Sequence, residues 1–157
     1  MRRIAILSLP VLLALAGAAG AQTDICIKRG TNGMDRDATA AWREMDDRKD
    51  PEFMQAMAGV WYSETTSPQT GQVSQLYLSY RQDGIFDYQN RVCSATGCND
   101  YAGHGLFAGF FLGNGRYTSM SILSDLNRDR ECTGSTGRFV DERTIEDSGG
   151  GRMTRVR

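Results

Sequence analysis

From Gly59 to the C-terminus, apolar and polar residues alternate along short runs divided by turn-forming residues. Leu76, Leu78 and Tyr80 share one face of their run; Phe86, Tyr88 and Val92 share one face of the next, and Met120 and Ile122 of a later one. Gln75, Arg81, Asp87, Gln89 and Arg91 fall on the opposite face. A period of two with one apolar face is the pattern of strands that bury one side and wet the other. It predicts strands near 60–66, 73–82, 85–93, 98–112, 115–124, 129–134, 138–147 and 152–157. Turns are expected at 68–71, at Asp83-Gly84, at Gly113-Asn114-Gly115, at Asn127, from Gly134 to Gly137, and at Gly149-Gly150-Gly151. No helical crossover separates these runs, so the strands pair antiparallel. About eight of them protect their edges best by closing into an up-and-down barrel. The run from Leu106 to Leu112 is apolar on both faces, as expected of a strand covered on its outside by a helix, and its glycines suggest bulges or close backbone contact.

Before Gly59 the period changes. Met34, Ala38, Ala41, Trp42 and Met45 recur at helical spacing behind Asp35 and Asp37 as candidate caps, which predicts an amphipathic helix to about Lys49. Asp50-Pro51 ends it, and Pro51 opens a short second turn carrying Phe53, Met54 and Met57. Residues 22–33, polar with two glycines, read as an extended leader. The first 21 residues have the layout of a secretory signal: Arg2-Arg3, an apolar run from Ile4 to Leu15, and small residues ending at Ala21. No cysteine stands where a lipid anchor would need one, and the apolar run falls short of a membrane span. The expected divisions are thus signal 1–21, leader 22–33, helical segment 34–57 and barrel 58–157, one domain in all.

Beyond the signal 16 basic residues face 19 acidic ones. No basic stripe appears, so neither nucleic acid nor an anionic membrane surface is an expected partner. All four cysteines lie beyond residue 21, which in an oxidising compartment implies two disulfides in one of three pairings. The turn-type sequence Ser94-Ala95-Thr96-Gly97 between two strand-like runs favours Cys93 with Cys98, leaving Cys26 with Cys132. A periplasmic or secreted protein is expected.

At the start of the first strand, Gly59-Val60-Trp61 follows a short helical turn. This resembles the Gly-x-Trp signature of lipocalins and their calycin relatives. The resemblance implies an eight- to ten-stranded barrel, often with a small apolar ligand inside. It also implies an arginine of the last strand stacked on the tryptophan, a role open to Arg155 or Arg157. No counterpart of the central Thr-Asp-Tyr lipocalin motif is present, so a shorter, partly filled barrel is expected.

Other motifs carry less. Gly103-His104-Gly105 and Gly109 resemble a dinucleotide loop, but no helix follows them. Asp125-Leu126-Asn127-Arg128-Asp129 opens like a calcium loop, yet Arg130 stands where glycine is required and Thr136 where the bidentate glutamate belongs. His104 is the sole histidine, no nucleophile elbow or close pair of metal-ligand cysteines with a histidine exists, and neither catalysis, metal nor cofactor is expected. The mixture from Asp141 to Asp147 reads as the outer face of a strand. If the barrel is hollow, Leu78, Tyr80, Phe86, Tyr88, Met120 and Ile122 line it; if it is packed, they fill it. The expectation is an exported, non-enzymatic binder of a small apolar or amphipathic ligand. Its rival is an envelope protein-interaction or inhibitor module, meeting its partner through the Tyr101–Phe111 stretch.

Overall fold

The structure, a computed structural model, describes residues 26–30, 33–124 and 130–156. The expected signal segment and the core of the calcium-like loop lie outside them. Two helices precede eight strands. Helix α1 (Arg36–Asp47) is capped by Asp35, whose carboxylate accepts from the Ala38 N–H at 3.0 Å. Helix α2 (Pro51–Met57) starts where Pro51 loses no hydrogen bond, with Asp50 accepting from the Glu52 N–H at 2.9 Å. Both caps replace backbone partners that a first helical turn lacks.

The strands are β1 (Gly59–Thr66), β2 (Val73–Tyr80), β3 (Ile85–Ser94), β4 (Gly97–Gly113), β5 (Arg116–Ser124), β6 (Cys132–Asp141), β7 (Thr144–Asp147) and β8 (Arg152–Arg155). They form one closed, antiparallel, up-and-down barrel in sequence order, with β8 returning to β1. Asn114 and Gly115, both with positive φ (51° and 72°), make the tight reversal between β4 and β5, a geometry that suits a right-twisted hairpin.

Two apolar clusters result. Inside the barrel, α2 plugs one end with Phe53, Met54 and Met57 against Trp61, Phe86, Phe107, Tyr117 and Ile145; each fully buried ring contributes about 1.5–3 kcal/mol of burial energy. Outside it, α1 lays Ala38, Trp42 and Met45 over Leu106, Ala108, Met120 and Ile122. This explains why the middle of β4 is apolar on both faces. Its inward glycines make room for rings. A Cβ on Gly109 would stand 2.5 Å from Phe53 Cε1, and one on Gly105 would stand 2.6 Å from Phe86 Cε1.

The two expected disulfides are formed, Cys26–Cys132 and Cys93–Cys98. The first fastens the leader beside α1, where Cys26 N–H donates to Thr39 Oγ1 at 3.0 Å. Met34 is not helical but bridges to Ile27. The turn expected from Gly134 to Gly137 is also corrected: β6 runs straight through both glycines to Asp141. The reversal comes at Asp141, which accepts from the Arg143 N–H at 2.8 Å. Gly137 is glycine because the Tyr117 phenol occupies the space of its side chain, 2.7 Å from where a Cβ would lie.

Candidate ligand-binding cavity

Strand parity decides what faces inward. On β2 and β3 the inward positions are Leu78, Tyr80, Phe86 and Tyr88, paired Leu78 with Tyr88 and Tyr80 with Phe86. On β5 the expected lining is corrected at Ile122, while Met120 packs toward α1 and still borders the cavity. Met120 and Ile122 belong to the cluster beneath α1, and Ile122 is fully buried there. Tyr117, Ser119, Ser121 and Leu123 alternate with them and point the other way. An apolar stripe reads as interior only if nothing covers the outside, and here a helix does.

An interior cavity of ≈ 190 Å³ remains between these strands and α2. Apolar side chains from α2, β2, β4, β7 and β8 line it: Phe53, Met57, Leu78, Phe107, Ile145 and Met153. β5 and β6 add hydroxyls, from Ser119 and Ser121 and from Thr133 and Ser135, and the Tyr80 and Tyr117 rings also line it. Met120 also borders the cavity. Phe86 and Tyr88 pack the neighbouring core, Phe86 meeting Tyr80 at 5.6 Å between ring centroids and Phe107 at 6.5 Å. The barrel is therefore filled on the β3 side and hollow toward β5–β8. Sequence reasoning missed the hydroxyl wall. Its signal was legible as small hydroxyl residues at every second position of two neighbouring strands.

Burial pushes the Tyr80 phenol above its ordinary range, with Tyr117 adding to the effect. Tyr117 is raised by burial first and then by the charge of Asp147. Both phenols are neutral at pH 7, able to donate and accept hydrogen bonds.

The wall is notched. β7 and β8 have four residues each beside ten in β6 and eight in β1. The Cys132–Thr136 half of β6 consequently has a strand only on its β5 side, and Thr133 and Ser135 are exposed although they face inward. Asp147 ends β7 at this notch, where its Oδ1 accepts from the N–H groups of Gly149 (2.8 Å) and Gly151 (2.7 Å). These bonds fold the Ser148–Gly151 loop back on itself.

The opposite end is closed by Trp61. Its Nε1–H donates to Met57 O at 2.7 Å, and Arg155 lies over its ring at 4.6 Å while donating to Ala56 O. Arg155 takes the stacking position implied by the calycin resemblance; Arg157 lies outside the described residues. His104 is exposed on the outer face of β4, opposite Asp87 and remote from the cavity. Of the Tyr101–Phe111 stretch, Tyr101, Ala102 and His104 are exposed while Phe107, Ala108 and Gly109 are buried, so it presents no continuous face. Among the described residues no three His, Cys, Asp or Glu side chains gather as metal ligands, and no helix is long and apolar enough to cross a membrane.

Comparison with protein families, with characterised proteins and with solved structures gives no match to this chain. The barrel is of calycin-like architecture, closed and antiparallel with eight strands in sequence order.

Proposed function

We propose that the chain is an exported, non-enzymatic binding protein that takes one end of a small amphipathic ligand into its barrel. The observation that carries this reading is the mixed lining of the cavity, apolar side chains from α2, β2, β4, β7 and β8 and hydroxyls from β5 and β6. Binding sites for small molecules combine an apolar enclosure with a few oriented polar groups in this way. A volume of ≈ 190 Å³ corresponds to about six waters, which suits a short chain or a single ring and leaves the remainder of a larger ligand in the notch. The signal-like N-terminus and the two disulfides support an oxidising, extracytoplasmic location.

The test is native mass spectrometry of the processed protein, purified without detergent, beside its denatured mass. An adduct lost on denaturation, or uptake of added octanol that is blocked by Ser121→Leu, is the expected result. A clean mass together with no octanol uptake would overturn the reading and favour the interaction module.

A further inference from the structure

Resting on the cavity-binder reading, we infer that the ligand's head is a cation, a primary or substituted ammonium, held at the notch by Asp147 with the apolar tail on the α2 side. The charge inventory of the cavity carries this. Among the described residues that line it there is no lysine or arginine, and Asp147 is the one carboxylate. It shares the inward face with Tyr117 and Ile145, since it pairs with Gly137, which in turn pairs with Tyr117, and it lines the cavity with both.

No ion pair engages Asp147 among the described residues, whereas the neighbouring carboxylate is committed: Glu146 takes Arg138 at 2.7 Å and Arg152 at 3.8 Å. Those arginines and Arg116 stand on the opposite face of the sheet, in register with Glu146, and Arg116 and Arg138 reach Asp147 only across an adjoining outer cleft that it also borders. The Gly149 and Gly151 amides fix Oδ1 in place and leave Oδ2 without a hydrogen bond among the described residues, so the acceptor is oriented before any ligand arrives.

The hydroxyl wall fits the same head. Ser119, Ser121, Thr133 and Ser135 each offer lone pairs, which suit the several N–H donors of an ammonium group. A carboxylate or phosphate head would find donors in these hydroxyls but would stand beside the like charge of Asp147, with no lysine or arginine lining the cavity itself and Arg138 of the adjoining cleft already held by Glu146. A fatty-acid-like ligand is therefore disfavoured.

The experiment is isothermal titration of the disulfide-intact, processed protein with three probes of equal tail length: octylammonium, octanol and octanoate at pH 7. Octylammonium is expected to bind about tenfold tighter than octanol, and octanoate more weakly than either. Because Asp147 is exposed, that preference should narrow as salt is raised. Asp147→Asn keeps the Oδ1 acceptor of the turn and should bring the ratio of octylammonium to octanol affinity to about one, with urea unfolding confirming the fold. Equal affinity for all three probes, or a cation preference that survives Asp147→Asn, overturns this inference while the cavity-binder reading stands. No binding by any probe overturns both.

Discussion

The Arg155 guanidinium lies 4.6 Å over the indole of Trp61, its cross-strand partner where β8 meets β1. One stacked pair thus joins the last strand to the first, while the Arg155 bond to Ala56 O ties both to the end of α2. Arg155→Ala is expected to destabilise the fold by about 1–3 kcal/mol, from the lost stack and the lost charge-assisted hydrogen bond. Arg155→Lys should recover only part, since an ammonium lacks the planar face that stacks. Urea unfolding followed by tryptophan fluorescence measures both.

The inward glycines of β4 give a sharper test. Gly109→Ala places a methyl 2.5 Å from Phe53 Cε1, and overpacking of this kind costs about 1–3 kcal/mol. Gly134 on β6 has nothing within 4 Å of its Cβ position and no positive φ. Gly134→Ala should be neutral, or stabilising by up to about 1 kcal/mol through the unfolded chain. Equal losses at both sites in chemical denaturation would contradict the packing described.

The two disulfides should contribute unequally. Cys26–Cys132 closes a sequence separation of 106 and Cys93–Cys98 one of 5. By chain entropy, replacing the first pair with alanines is expected to cost about 4–5 kcal/mol and replacing the second about 2 kcal/mol. Guanidinium midpoints of the two double variants give the ranking.

Alkaline pH should weaken the fold through its phenols. Burial raises Tyr80 and, with Asp147, Tyr117, so the native protein holds protons that the unfolded chain releases above about pH 10. The tyrosine contribution is whole below that pH and is lost as pH rises toward the folded values. Urea midpoints between pH 8 and 11 should therefore fall, and Tyr80→Phe should flatten the decline.

Much of this barrel was legible because its strands obey a local rule. Leu76, Leu78 and Tyr80, then Phe86, Tyr88 and Val92, alternate cleanly, and the outer faces of β2 and β3 meet no helix. The rule misled at Ile122, where periodicity reports that a face is buried without reporting what buries it. Only the docking of α1, a long-range event, assigns that face to the outside. The glycines of β6 misled for a related reason: Gly134 and Gly137 look like turn signals, yet Gly137 answers to the Tyr117 ring from the neighbouring strand. The hydroxyl wall went unread because serine and threonine on a strand ordinarily face water, and here they do so from inside a notched barrel.

The tie between Cys26 and Cys132 also sets a schedule. A chain emerging N-terminus first presents the Cys26 thiol long before its partner, and Cys93 and Cys98 appear in between. Closing the short hairpin is fast and entropically cheap beside closing the long loop, so when a disulfide oxidant takes up the two electrons the hairpin thiols are the first favoured to pair. Cys26 then has a single cysteine left to find, and it finds it only once five strands have been laid down. The spacing of the cysteines along the chain thus separates a closure that is local from one that waits for most of the barrel.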